Sequence, residues 1–198
     1  MVITITGPEK EDIIIPSEEK VLEVLNNVNN SSIEAYVDKV SNKPLVADIP
    51  KGGTISEINI NQDLGISEIK LSNNVKVVIK PTDFKDDEIL INAFSNGGTS
   101  LYSVEDLPSA EFASTVVNRS GLSEFSLIEL QKMLTGKVVN VSPYINELYE
   151  GFNGSCSPND LETAFQLIYL YFTNPRFDEA ATNAYMSRLM AFLQNKSL

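Results

Sequence analysis

From Thr54 onward, short apolar runs at period two alternate with longer runs at helical period, without a strict strand–helix–strand rhythm. That alternation restricts the chain to strands paired mostly antiparallel and covered by helices. Ile55, Ile58 and Ile60, then Ile66, Ile69 and Leu71, mark two strand-like runs. Asn73-Asn74 is a hairpin-turn signal, and Val75 to Lys80 is rich in β-branched residues. Pro81 to Asp87 reads as an acidic loop, and Ile89 to Ser95 as a strand closed by Asn96-Gly97-Gly98. A helix is expected from Pro108 to Asn118, with proline in its first turn and Ala110, Ala113, Val116 and Val117 on one face. Ser126-Leu127-Ile128-Glu129 has capping-box spacing and starts another helix, which Gly136 would close. Val139, Val141 and Ile145 alternate with polar residues, and Leu148 to Cys156 reads as their antiparallel neighbour.

Ser157-Pro158-Asn159-Asp160 opens the clearest helix, with a cap serine, a proline at the first position and an acid at the positive dipole end. Leu161, Ala164, Phe165, Ile168 and Phe172 share a stripe, and Leu167 to Phe172 is apolar all round, so burial on most sides is expected. Asn174-Pro175 ends it, and Asp178 caps a final helix carrying Tyr185, Leu189, Phe192 and Leu193. The fold class is α+β, an antiparallel-dominated sheet with helices on one face. Residues 1–53 hold too few apolar residues for a core. They contain a strand-like Ile3 to Thr6, a helix capped by Ser17 with Val21, Leu22, Leu25 and Val28 on its face, a second helix from Ile33 to Val40, and a connector marked by Pro44, Pro50, Gly52 and Gly53. They read as the tail of a preceding domain plus an interdomain linker, and residues 54–198 as a separate unit.

Composition removes whole classes of chemistry. The chain has 27 acidic and 15 basic residues, a net charge of -12, so it offers no phosphate-binding surface and no nucleic-acid partner is expected. No apolar run reaches the ~18 residues of a membrane span, and no signal peptide opens the chain. Cys156 is the only cysteine, which excludes an intrachain disulfide and a cysteine-cluster metal site. Histidine is absent, so imidazole zinc sites, Ser-His and Cys-His pairs and histidine acid/base chemistry are excluded within this chain. Asp83, Asp86, Asp87 and Glu88 lack the ligand spacing and central glycine of a calcium loop and read as a solvated turn, with a carboxylate-only metal hydrolase as a minor rival. Asn96-Gly97-Gly98-Thr99-Ser100 lacks the Lys-Ser/Thr of a phosphate loop and reads as a tight turn. Cys156 reads as a structural strand cysteine. Phe165, Tyr169, Tyr171, Phe172 and Tyr185 read as core, and Asp178 and Glu179 as helix capping. Asn140-Val141-Ser142 matches a glycosylation acceptor, a pattern too common to carry weight.

Leu71-Ser72-Asn73-Asn74-Val75-Lys76-Val77-Val78-Ile79-Lys80 resembles the opening strand pair of an insulinase/pitrilysin-type zinc metallopeptidase half. The resemblance runs on through Ala93-Phe94-Ser95-Asn96-Gly97-Gly98-Thr99-Ser100-Leu101 and the helix near Pro108, then through Ser157-Pro158-Asn159-Asp160-Leu161-Glu162 and Asn174-Pro175-Arg176-Phe177. It covers roughly Ile66 to Leu198 and is strongest to the second half of bacterial pitrilysin-like proteases. It implies the metallohydrolase fold of mitochondrial processing peptidase (LuxS/MPP-like), here incomplete at its C-terminal end. In this family the active half carries an inverted zinc motif, His-x-x-Glu-His, in which two imidazoles bind the metal and the glutamate activates water. Alignment puts that pentad on Glu111-Phe112-Ala113-Ser114-Thr115, where both imidazoles and the glutamate are missing. The family's third ligand, a glutamate on the helix after the buried one, has no counterpart, because no Asp or Glu occurs from Ala180 to Leu198.

The resemblance therefore assigns no catalytic, cofactor-binding or metal-binding residue to this chain. It implies a non-catalytic half-domain that helps enclose peptide substrate, with zinc in the other half of the parent enzyme and that catalytic half as its partner. On this reading the chain alone is inactive, and its abrupt end at Leu198 marks a truncated or expressed fragment that is prone to self-association. A bacterial periplasmic or cell-envelope location is implied for the parent. The alternative is a stand-alone, non-catalytic subunit with a peptidase-like fold that binds a protein or peptide.

Overall fold

The computed structural model describes residues 2–8, 14–35 and 41–196. They fall into two compact units, divided between Lys39 and Val40. In the first, α1 runs from Glu18 to Asn30. The Ser17 hydroxyl accepts from the Lys20 N–H at 3.4 Å, Glu18 and Glu19 lie at the positive dipole end, and the Ser31 N–H and hydroxyl both return to the Val28 carbonyl. None of its residues is buried. Residues 2–8 form no strand, contrary to the alternation at Ile3 to Thr6, because a strand needs a hydrogen-bonded neighbour. Of the expected second helix, Ile33 to Ala35 are non-helical and residues 36–40 lie outside the described residues.

The second unit holds two three-stranded antiparallel sheets. The first is a meander of β1 (Ile55–Asn61), β2 (Ile66–Leu71) and β3 (Lys76–Ile79). Its second turn is the Asn-Asn signal: Asn74 takes φ 68°, its N–H donates to the Leu71 carbonyl at 2.9 Å, and the Val75 N–H donates to Asn73 Oδ1 at 3.2 Å. Register sets Ile58 opposite Ile69 and Ile69 opposite Val77, while Lys76 pairs with Glu68 at 2.8 Å on the other face. The sheet is thus amphipathic, and Ile58, Ile60 and Ile79 on its apolar face stay exposed.

The second sheet has the order β4-β6-β5, from β4 (Ile89–Asn96), β5 (Val139–Ile145) and β6 (Tyr149–Cys156). Helices α2 (Leu107–Ser120), α3 (Leu127–Met133), α4 (Leu161–Thr173) and α5 (Glu179–Lys196) complete the unit, with α2 packed on β5 and α4 on β5 and β6. Val141, Phe152 and Cys156 on the inner sheet face join Ala164, Leu167 and Leu170 of α4 and Leu122, Phe125 and Leu130 in one core. Val46, from the segment between Pro44 and Gly53, is buried in the same core. Full burial of a side chain such as Leu122 contributes roughly 1.5–3 kcal/mol. The helix starts follow their sequence signals. Ser126 and Glu129 form both arms of a capping box, Ser157 accepts from the Asp160 N–H at 3.2 Å, and Asp178 Oδ1 accepts from the Ala181 N–H at 3.0 Å.

One expectation is overturned. Helix α4 buries Thr163, Ala164, Leu167 and Leu170, but Phe165 is 57% and Phe172 74% exposed. Periodicity finds an apolar stripe without saying whether this chain supplies the surface that covers it. The aromatic set is therefore divided: Tyr171 packs against the core, Phe172 is largely exposed but sets its ring against Phe152 at 5.0 Å, and Phe165 is exposed.

Candidate functional site

The first turns of α2 face the turn between β5 and β6. A cavity of about 500 Å³ opens there, lined by Thr99, Leu107, Glu111, Ile145, Asn146 and Glu147. Ile145 also lines a smaller, mostly apolar hollow of about 140 Å³, reached by Ala113, Ser114, Val117, Pro143, Phe152, Tyr171 and Pro175. The β5–β6 turn is held in place by the double glycine after β4. The Gly97 N–H donates to Leu148 O at 2.8 Å, Thr99 N–H to Asn146 O at 2.8 Å, and Ser100 N–H to Glu147 O at 2.9 Å. The Gly98 N–H donates to Glu150 Oε2 at 3.2 Å. Gly98 has φ 59°, and a Cβ there would lie 2.2 Å from the Asn146 carbonyl oxygen, so no other residue fits without moving the turn. The cavity wall thus depends on the Asn-Gly-Gly-Thr-Ser run, whose Gly97, Thr99 and Ser100 N–H groups are spent on the turn and whose Gly98 N–H is spent on the Glu150 carboxylate.

The other sequence candidates have structural roles. Asp83, Asp86, Asp87 and Glu88 are exposed, and Lys85 pairs with Glu88 at 3.1 Å. Among the described residues no group of three or more Cys, Asp or Glu side chains is placed to hold a metal ion. Cys156 is buried in the core, where burial and the neighbouring Asp160 push its thiol pKa up, away from the reactive thiolate. Asp178 is a helix cap whose pKa is lowered, first by the Ala181 N–H and then by Arg176. Asn140 lies within β5. Sequence reasoning missed two features: the clasp between Gly98 and the β5–β6 turn, and the Tyr171 hydroxyl hydrogen-bonded to Asn118 Oδ1 at 3.1 Å. The paired glycines after a strand carried a signal for the first, since they mark close backbone approach. Nothing local announces the second, which joins residues 53 positions apart.

No family model matches the chain. The "Zinc protease PQQL-like" protein of Arabidopsis thaliana is 31% identical over 129 residues, which are 65% of this chain and 11% of that protein. The "Probable zinc protease PqqL" of Haemophilus influenzae is 25% identical over 120 residues, covering 61% of this chain and 13% of the relative. That of Escherichia coli is 25% identical over 170 residues, covering 85% and 17%. Over these stretches the chain is similar to zinc proteases, a likeness that supports the insulinase/pitrilysin type. The chain spans only 11% to 17% of the length of these curated relatives. The crystal structure of the periplasmic protease PqqL from Escherichia coli superposes with a TM-score of 0.70 at 21% identity, over 90% of this chain and 20% of that one. A mutant of the ferredoxin protease FusC, in complex with Arabidopsis ferredoxin, gives 0.68 at 17% identity, over 89% and 20%. Both likenesses establish the mixed helix and antiparallel-sheet fold.

In pitrilysin-type proteases zinc is the implied metal, so the donors at the aligned pentad decide whether it fits here. In the alignment read from the sequence, Glu111, Ser114 and Thr115 fall at the positions expected to hold histidine, glutamate and histidine. One exposed carboxylate and two neutral hydroxyls do not make a tetrahedral zinc site. Helix α5, which packs on α2, carries no acid after Glu179. That helix pair is joined instead by the Arg119 guanidinium, 4.2 Å from the centre of the Tyr185 ring. The residues present do not fit the metal.

Proposed function

We propose that this chain is a non-catalytic half-domain of a pitrilysin-type zinc endopeptidase that helps to enclose peptide substrate and is inactive alone. The donor set at the aligned pentad carries the reading: a zinc-protease scaffold whose helix α2 offers Glu111, Ser114 and Thr115, in a sequence without histidine. The scaffold supplies shape, and zinc belongs to the catalytic half, its partner in the parent enzyme. Residues 1–53 are the tail of the preceding domain with its linker, and residues 54–198 the half-domain. The E. coli neighbour is described as periplasmic, which supports a periplasmic or envelope setting for the parent. No described helix is long and apolar enough to cross a membrane.

The test is metal analysis and peptide cleavage on the purified chain, alone and mixed with a histidine-bearing half of a pitrilysin-type protease. The chain alone is expected to retain no stoichiometric zinc after dialysis and to leave quenched fluorescent peptides uncut. Stoichiometric zinc together with cleavage by the chain alone would overturn the proposal.

A further inference from the structure

We infer that residues 41–53 are a strap with one anchor, Leu45-Val46, which latches onto the core and unlatches as a local step while the fold around it stays intact. The latch stands on the contacts of this segment; its role as a length switch rests on the proposed function. Val46 is 8% exposed and belongs to the same core as Leu122, Phe125 and Leu130, and Leu45 packs against that core. The Lys43 ammonium pairs with the Glu124 carboxylate, in the turn between α2 and α3, which places the strap at that corner. Asn42 to Pro44 before the anchor and Ala47 to Gly53 after it are exposed.

Side chains hold the strap, not backbone. Among the described residues, no backbone hydrogen bond joins residues 41–53 to a helix or strand. Pro44 and Pro50 have no N–H to give. The Lys43–Glu124 pair is exposed on both sides, and such pairs contribute little. Burial of Val46, helped by Leu45, therefore sets the strength of the latch, a preference for the docked state of roughly ten- to a hundredfold. The strands beneath it are held differently. Full ladders join β6 to β4 and to β5, so that part of the core opens only with the whole unit.

Docked, the anchor makes Val46 the point at which the chain arriving from residues 1–39 is fastened. Undocked, the fastening moves to Thr54, whose carbonyl accepts from the Ser72 N–H at 2.8 Å at the start of β1. The stretch released between Val46 and Thr54 reaches about 25–30 Å when extended. On the proposed reading that stretch is slack between the half-domain and the domain before it, gained without unfolding either one.

Thiol labelling of the full chain, resolved by site with mass spectrometry, tests the latch. Native Cys156, 2% exposed in the same core, reports global opening. Val46→Cys keeps a small apolar side chain at the anchor, and Ile49→Cys, at a position 77% exposed, gives the unprotected rate. The thiol introduced at residue 46 should react about tenfold or more slowly than the one at residue 49, and about tenfold or more faster than Cys156. Urea below the unfolding transition should accelerate Cys156 steeply and residue 46 hardly at all. Val46→Asp, which undocks the anchor, should keep the circular dichroism spectrum and increase the maximum dimension in small-angle X-ray scattering. Labelling at residue 46 as fast as at residue 49, or with the rate and urea slope of Cys156, would overturn the latch. So would a Val46→Cys or Val46→Asp chain that fails to fold, because a local strap is dispensable to the rest. An unchanged maximum dimension in folded Val46→Asp would overturn the length switch. None of these readings needs zinc or peptide, so failure of the latch and failure of the proposed function are separate results.

Discussion

Gly98→Ala isolates the contact that shapes the cavity beside α2. Alanine at φ 59° costs about 1–2 kcal/mol for its left-handed backbone alone. The new methyl would also lie 2.2 Å from Asn146 O, 2.7 Å from Tyr149 N and 3.0 Å from the Glu147 carbonyl carbon. All three are backbone atoms, so no rotamer change relieves the clash and the β5–β6 turn must retreat. Retreat breaks the bonds from Gly97, Thr99 and Ser100 to that turn, each with a net value of about 0.5–1.5 kcal/mol. The total loss is therefore roughly 3–6 kcal/mol. Gly136→Ala is the matched control, because Gly136 has φ 85° but nothing within 4 Å of an added Cβ. It should lose only the conformational part, about 1–2 kcal/mol. Urea unfolding followed by circular dichroism measures both. Equal losses, within about 0.5 kcal/mol of each other, would refute the steric argument and leave the glycine explained by φ alone.

Two further outcomes follow from the core and the caps. Leu122→Ala removes a fully buried side chain and should lower unfolding free energy by about 2–5 kcal/mol, whereas Phe165→Ala on the exposed face of α4 should cost about 1 kcal/mol or less; similar losses would mean that α4 buries Phe165 in solution. Glu129, Asp160 and Asp178 have lowered pKa values, caused first by the Ser126 hydroxyl, the Ser157 hydroxyl and the Ala181 N–H respectively. Their folded forms favour the carboxylate, so the caps contribute fully above the ordinary carboxylate pKa of about 4 and are lost as pH falls below it. Asp178→Asn keeps a capping oxygen without the titration, so urea midpoints compared at neutral and acid pH should show a shallower acid decline; an unchanged decline would remove Asp178 from the acid response.

Local rules were legible in the sequence wherever the partner lay close in the chain. The capping box at Ser126, the Asn73-Asn74 turn and the Ser157-Pro158 helix start all act within a few residues, and each is found. The antiparallel neighbours β5 and β6 were readable for the same reason, being joined by a short turn. Signals failed where the deciding partner was distant or not part of the chain. Ile3 to Thr6 has strand periodicity without a described strand to pair with, and Phe165 has core composition but is exposed. At the aligned pentad, the absence of imidazole was legible from residue counts alone, but the cavity was not. Its walls come from Thr99, from α2 and from the turn at Asn146, and only folding unites them.

On the proposed reading, the placement of that cavity accounts for how such a scaffold would tolerate the loss of zinc donors. Helix α2 buries Ala110 and Ser120, and Ala113, Ser114 and Val117 line the apolar hollow beside Phe152 and Tyr171. Glu111, aligned from the sequence with the first histidine, is exposed, lines the larger cavity and is not among the core residues. Replacing a metal ligand there removes chemistry without opening a void. The core is formed instead by Leu122, Cys156, Ala164 and their neighbours. On the proposed reading, the forces that hold this half-domain together are separable from those that once would have held zinc, so shape persists under packing constraints alone.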